Sequence, residues 1–255
     1  MKVVILAGGF GTRISEETSA KPKPMVEIGG KPILWHIMKG FSKQGYNDFI
    51  ILAGYKSYVI KEYFLNYFSH NSDIEIKLKN NEVKYKNYSS ENWTINIIDT
   101  GLNTMTGGRV LSAKTLIGSE DFFLTYGDGL SNVDLSQVSK VHYDNKNIVT
   151  LTGVQPRGRF GSIGIKNNKV LSFLEKDKGD GNWVNGGFFI CSKKVFDFIE
   201  NSETVFEEYT LPKIAQSQKL GVYLHSGYWQ CMDTLRDKLS LEAEWKNGKP
   251  GWKTW

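Results

Sequence analysis

Cysteine is scarce in this chain. Cys191 and Cys231 are the only two among 255 residues, and they lie far apart. That excludes a disulfide framework and a cysteine-built metal motif, and both thiols are expected to be structural groups in a reducing compartment. Histidine is equally sparse. His36, His70, His142 and His225 show no metal-ligand spacing and are read as structural or surface residues. No apolar run approaches the roughly 20 residues of a membrane span. The run over 3–7 is too short for the core of a signal peptide and meets glycines at once. A soluble, cytoplasmic protein with no membrane partner is therefore expected. Nor do basic residues cluster. The 32 Lys and Arg against 27 Asp and Glu leave a net charge of +5 with no Lys/Arg block, which argues against nucleic acid as a partner. The same mild excess suits small phosphorylated substrates, and it suits an ordinary basic surface equally well. Repeats and low-complexity linkers are absent too, so one domain over 1–255 is the simplest organisation.

Against these absences stands a regular alternation. Val3-Val4-Ile5-Leu6 is an all-apolar run of the kind that forms a strand buried on both faces. Helix periodicity follows over 32–42, with Ile33, Ile37 and Phe41 on one stripe, then a strand over 48–52 and a helix over 57–68 with Ser57 as its N-cap. Strand–helix alternation predicts a parallel sheet with crossover helices. Further strands are expected over 74–79, 94–99, 122–126, 148–154, 170–173, 183–190 and 222–225. Further helices are expected over 106–117, 135–144, 193–200 and 211–217, with a last one from Thr234. The expected fold is α/β: a Rossmann-like mixed, mostly parallel sheet flanked by helices, with a β-rich second half.

Several segments carry chemistry-bearing residues. Gly8-Gly9-Phe10-Gly11-Thr12-Arg13 follows the first strand. Its glycines let backbone approach a ligand closely, its consecutive N–H groups suit phosphate oxygens, and Arg13 adds a fixed charge suited to a triphosphate. It is neither a G-x-G-x-x-G fingerprint nor a P-loop. In Lys21-Pro22-Lys23-Pro24-Met25, two prolines are expected to hold an extended segment that fixes the Lys23 ammonium. Asp128, in Tyr126-Gly127-Asp128-Gly129, sits where the carboxyl end of a strand meets a ligand crevice, although an Asp-Gly turn alone explains it as well. Thr104 and Arg109 flank a helix start and suit a base and phosphates, or else Thr106 is only a cap and Arg109 is solvated. Asn185-Gly186-Gly187 offers an amide for sugar hydroxyls and glycines for close approach, or marks a β-bulge. Asp233, just before the last helix, reads first as an N-cap.

Together, Leu6-Ala7-Gly8-Gly9-Phe10-Gly11-Thr12-Arg13, Pro22-Lys23-Pro24-Met25 and Ile28-Gly29-Gly30-Lys31-Pro32 resemble the signature of nucleotidyltransferases acting on sugar 1-phosphates. Trp35-His36-Ile37-Met38, Asn185-Gly186-Gly187-Phe188-Phe189, the segment 229–236 and Trp252-Lys253-Thr254-Trp255 are similar to one subgroup, the glucose-1-phosphate cytidylyltransferases. The resemblance implies CTP and glucose 1-phosphate as substrates, Mg²⁺ as cofactor, and a homo-oligomer, trimer or hexamer. It implies a nucleotide-binding half over about 1–130 and a sugar-phosphate-binding half over about 131–255.

By this resemblance Asp128 and Asp233 hold the metal, and Lys23 and Arg13 are the catalytic cations. The nucleotide lies against Leu6 through Arg13 with Lys23, Thr104, Arg109 and Asp128. The sugar phosphate meets Glu175, Lys176, Asn185, Gly186 and Trp229. The family pattern carries proline where Asp177 and Cys231 stand here. A thymidylyl- or uridylyltransferase and a binding-only nucleotide-sugar sensor are the alternatives.

Overall fold

The computed structural model describes residues 1–156, 162–174 and 182–255. Its central sheet has seven strands: β1 (Lys2–Ala7), β2 (Asp48–Ala53), β3 (Thr94–Asp99), β4 (Phe122–Tyr126), β5 (Val149–Val154), β6 (Val184–Cys191) and β7 (Leu220–His225). Their order is β7-β5-β6-β4-β1-β2-β3. β4, β1, β2 and β3 are parallel neighbours, and β5 is parallel to β7. β6 runs antiparallel to both β4 and β5, so it alone opposes the rest.

The apolar run of β1 is explained by cover on both faces. Val3 and Ile5 join one core with α1 (Ile33–Lys43), α2 (Ser57–Leu65), α4 (Leu135–Asp144) and α6 (Leu235–Lys246), through Ile37, Phe41, Ile60, Val138 and Leu241. Val4 and Leu6 point the other way, into a second core with α3 (Thr106–Ser112) and α5 (Leu211–Gln216), through Val110, Leu211 and Ile214. Among the described residues no helix is long and apolar enough to cross a membrane.

Local details differ from the pattern-based expectation. Lys56, in the left-handed region at φ 48°, is the cap position of α2 in place of Ser57, whose hydroxyl donates instead to Asp99 at 2.6 Å. The expected helix over 57–68 breaks at Asn66 and resumes as Tyr67–His70, and that over 106–117 breaks at Ala113 before Lys114–Ile117. A 3₁₀ turn, Lys193–Phe198, replaces the helix over 193–200. Two hairpins, Asp73–Lys77 with Glu82–Lys86 and Ser162–Lys166 with Lys169–Leu174, stand apart from the main sheet.

Candidate active site

β1 ends at Ala7, and the chain turns through Gly8, Gly9, Phe10 and Gly11, the last in the left-handed region at φ 66°. Gly8 has a second constraint: a Cβ there would sit 2.2 Å from Arg109 Nη1. Arg109 is 5% exposed, so its reading as a solvated side chain is overturned. Its guanidinium donates to the carbonyls of Gly101 at 2.8 Å, Leu102 at 3.2 Å and Ala53 at 3.3 Å, and to the Thr100 hydroxyl. Burial pushes its pKa below the ordinary guanidinium value, against the pull of Asp99. Arg109 thus ties the end of β2 to the loop after β3 and packs against Gly8 in the turn after β1.

These two loops wall a cavity of about 660 Å³ at the carboxyl ends of β1 and β4. Leu6, Ala7, Gly8, Gly9, Phe10, Gly11, Thr12, Arg13, Lys23, Thr104, Arg109 and Asp128 all line it, which brings together every residue expected at the nucleotide. Leu102, Asn103 and Met105 line it as well and carry no sequence signal of their own, and so does Thr106, which the sequence marked only as a helix cap. Leu102 and Met105 are nearly half exposed, an apolar wall that suits the face of a base. The Thr104 hydroxyl donates to the Thr100 carbonyl at 2.5 Å. Thr106 is the first residue of α3 rather than its cap, which is Met105.

A second cavity, of about 320 Å³, shares Arg13, Tyr126 and Asp128 with the first and extends along Asn185, Gly186, Gly187, Trp229, Cys231 and Asp233. The β-bulge reading of Asn185-Gly186-Gly187 is met here, since the β5–β6 register shifts between Leu151 and Gly153. Gly187 takes φ 77°, its N–H donates to Asn185 Oδ1 at 2.9 Å, and Trp229 Nε1 donates to the Gly186 carbonyl at 2.8 Å. Asn185, Gly186 and Trp229 therefore meet in one chamber. Glu175 and Lys176 lie outside the described residues.

Between the chambers lies a compact charged cluster. Lys23 Nζ donates to Asp128 Oδ2 and to Asp233 Oδ1, each at 2.6 Å, and its side chain is 12% exposed. The segment around it is not extended as expected. Pro22 is extended, but Lys23–Met25 forms a 3₁₀ turn closed by Met25 N–H to the Pro22 carbonyl at 2.8 Å. Pro24 falls inside the first turn, where a missing N–H costs nothing. Asp233 arrives through the strand Trp229–Cys231, which pairs with Gly129–Ser131 directly after Asp128. It is not the N-cap of α6. Thr234 caps that helix in a reciprocal box with Asp237, which leaves the Asp233 carboxylate free to face Lys23.

Burial opposes the Lys23 charge, yet Asp128 and Asp233 hold its pKa above the ordinary lysine value. Burial would likewise lift Asp233, but Lys23 and Arg13 hold it below the usual carboxylate range. Arg13 Nη1 donates to Asp233 Oδ2 at 2.6 Å from a side chain that is 74% exposed. A largely solvated guanidinium is free to leave this partner for a ligand phosphate. Asp128, Cys231 and Asp233 place one ligand atom each within 4.8 Å of one another. Burial pushes the Cys231 thiol far up, with the two carboxylates adding to the effect. The hard oxygens of Asp128 and Asp233 are therefore the donors that fit Mg²⁺. Lys23 already holds positive charge between them.

The nucleotidyl transferase family model matches residues 2–244. The chain is 50% identical over 256 residues to the glucose-1-phosphate cytidylyltransferase of Salmonella typhimurium, with 100% of both chains covered. It is 44% identical over 257 residues to the probable glucose-1-phosphate cytidylyltransferase of Bacillus subtilis, again over 100% of each. Among solved structures, HddC from Yersinia pseudotuberculosis aligns with a TM-score of 0.70 and 25% identity, over 96% of this chain and 99% of that one. UDP-glucose pyrophosphorylase bound to UDP-glucose shares the fold, with a TM-score of 0.68 at 17% identity over 97% and 99%. On the extent of the family match and the full-length identities, the chain belongs to the nucleotidyl transferase family.

Proposed function

We propose that this protein transfers the cytidylyl group of CTP to α-D-glucose 1-phosphate, giving CDP-glucose and pyrophosphate. The observation that carries the reaction type is the Lys23–Asp128–Asp233 cluster at the boundary of two chambers. The choice of base and sugar rests on the full-length similarity to cytidylyltransferases. The larger chamber falls within the roughly 300–1,000 Å³ typical of small-molecule sites.

In this reading a phosphate oxygen of glucose 1-phosphate attacks the α-phosphorus of CTP. The bond from that phosphorus to the α–β bridging oxygen breaks, and pyrophosphate leaves with the electron pair. No protein nucleophile is needed, because the attacking phosphate is already an anion. The chain's task is to align two anions and offset their repulsion. Backbone N–H groups of the Gly8–Gly11 turn and Arg13 hold the triphosphate. Lys23 neutralises charge where the reacting phosphates meet, and Lys176 holds the incoming phosphate. Asn185 and the Gly186–Gly187 bulge receive the hexose. Asp128 and Asp233 would hold Mg²⁺, which supplies Lewis-acid stabilisation of phosphoryl charge when bound.

The test is product identity. With Mg²⁺, CTP and glucose 1-phosphate, the protein should release one pyrophosphate per CDP-glucose formed, read by a coupled phosphate assay and by mass. Pyrophosphate release with another nucleotide only would remove the cytidylyl assignment and keep the reaction class. No release with any nucleotide would remove both.

A further inference from the structure

Glu207 lies outside every motif of the sequence, on the five-residue turn Phe206–Thr210 that precedes α5. Yet its carboxylate holds a wall residue of each chamber. One oxygen accepts from the Thr106 hydroxyl at 2.6 Å, on the nucleotide side. The other accepts from the hydroxyl of Tyr126, which lines both cavities. The hydrogen bonds on either side fix the direction of every proton. The Phe206 N–H donates to Thr106 Oγ1 at 2.9 Å, so the Thr106 proton goes to Glu207. The Gly187 N–H donates to Asn185 Oδ1 at 2.9 Å, which turns Asn185 Nδ2 toward the Tyr126 oxygen at 3.4 Å. Two directed chains, one per chamber, therefore end on the same carboxylate.

We propose that Glu207 is a positioning residue that sets hydrogen-bond polarity in both chambers at once, as the acceptor their two chains share. A carboxylate only accepts, so it takes both hydroxyl protons and leaves Tyr126 as the acceptor for Asn185 Nδ2 and Thr106 as the acceptor for the Phe206 N–H. Asn185 Nδ2 keeps a second N–H for a ligand, a donor aimed at a hexose hydroxyl. Burial and then the nearby Glu207 charge push the Tyr126 phenol far above its ordinary pKa, so it stays protonated while the chain is intact. An amide at position 207 offers one acceptor and one donor, so it cannot serve both chains. One hydroxyl must reverse, and the group behind it loses its partner.

The inference rests on the cytidylyl-transfer reading for its assay. The experiment measures kcat and the KM of each substrate for wild type, Tyr126→Phe, Thr106→Val, Glu207→Gln and the pairwise doubles. Tyr126→Phe should raise the KM for glucose 1-phosphate about tenfold and leave that for CTP within about twofold. Thr106→Val should do the reverse. Glu207→Gln should raise both, and adding either single change to it should worsen neither KM by more than about twofold, because the link is already lost. Multiplying effects, or unchanged KM values in Glu207→Gln, would overturn the proposal. If Glu207→Gln does not fold, the two milder variants decide, and equal effects of each on both substrates would overturn it. Wild-type protein without turnover would retire the reaction instead, and equilibrium binding of each substrate to the same variants would then judge the network.

Discussion

The two chambers of the cleft are built in different ways. The chamber proposed for the nucleotide is walled mainly by two continuous stretches, Leu6 through Arg13 and Leu102 through Thr106, the first at the end of a strand set among parallel neighbours. The chamber proposed for the sugar draws on separate segments: the end of β4, the bulge of β6, and the short strand Trp229–Cys231. It forms around the one strand that runs against the sheet. A phosphate cradle needs consecutive N–H groups, which a local stretch supplies. A hexose needs donors and acceptors from several directions, which only distant segments brought into register supply. The Lys23–Asp128–Asp233 cluster sits where these two constructions meet.

The largest expected effect comes from removing that junction. Lys23→Ala, Asp128→Asn and Asp233→Asn should each lower kcat by about 10²–10³-fold, as loss of one preorganised electrostatic partner does. Circular dichroism should show the fold retained. A variant with near-wild-type turnover at saturating Mg²⁺ would free that residue from the reaction and break the picture of a shared boundary.

The packing that anchors α6 behind Asp233 gives the next effect. α6 follows Asp233 directly, and its Trp245 packs edge-on against His36 at 5.0 Å. His36 is 1% exposed; Nε2–H donates to the Ile28 carbonyl at 2.8 Å, and Nδ1 accepts from Trp252 Nε1–H at 3.4 Å. A proton on Nδ1 would face another N–H. Burial pushes the His36 pKa from 6.5 down to about 4, despite the Ile28 contact and Glu242, with Lys253 assisting. The unfolded chain therefore binds more protons between these values, so stability rises with pH there. Stability is fully present above pH 6.5 and falls as the pH drops toward 4, by on the order of 3 kcal/mol. Burial lowers His142 and His225 too, which adds to the same slope. Thermal melts of His36→Gln should show a flatter dependence between pH 6.5 and 4; an unchanged slope would contradict this account.

Two glycines compare the chambers directly. Gly187→Ala places a Cβ 2.4 Å from the Tyr126 ring at φ 77°. It should cost about 1–3 kcal/mol by melting and raise the KM for glucose 1-phosphate, not that for CTP. A Cβ at Gly9 meets nothing within 4 Å. Gly9→Ala should therefore leave stability unchanged and raise only the KM for CTP. Equal effects on both substrates would dissolve the distinction between the chambers.

Smaller still is Lys176→Ala, expected to raise the KM for glucose 1-phosphate by about tenfold with little change in kcat, because that charge is met in the ground state as well. An effect confined to CTP would place Lys176 in the other chamber.

The same contrast explains what was legible in the sequence. The apolar run of β1 and the glycines after it announce a buried strand and a close backbone approach, and those glycines line the larger cavity. Asp233 was ambiguous because a carboxylate before a helix ordinarily caps it. Only the reciprocal Thr234–Asp237 pair shows that this one is released. Arg109 read as a phosphate contact or a solvated charge, because nothing local marks the carbonyls of Ala53, Gly101 and Leu102 that surround it. Glu207 was silent for the same reason. Its partners, Tyr126 and Thr106, are far away in sequence, and only the folded sheet brings them together.

The measurement that bears most directly on the account is kcat/KM for CTP against dTTP and UTP, each with glucose 1-phosphate and Mg²⁺, read as pyrophosphate release. Cytosine offers acceptors at O2 and N3 and a donor amine, whereas uracil and thymine reverse the last two. Each buried mismatch costs about 1–3 kcal/mol, and a site built on hydrogen bonds discriminates accordingly. The account predicts that CTP exceeds dTTP by at least about a hundredfold, with UTP also disfavoured. Comparable values for dTTP or UTP would contradict cytidylyl transfer as the function of this cleft.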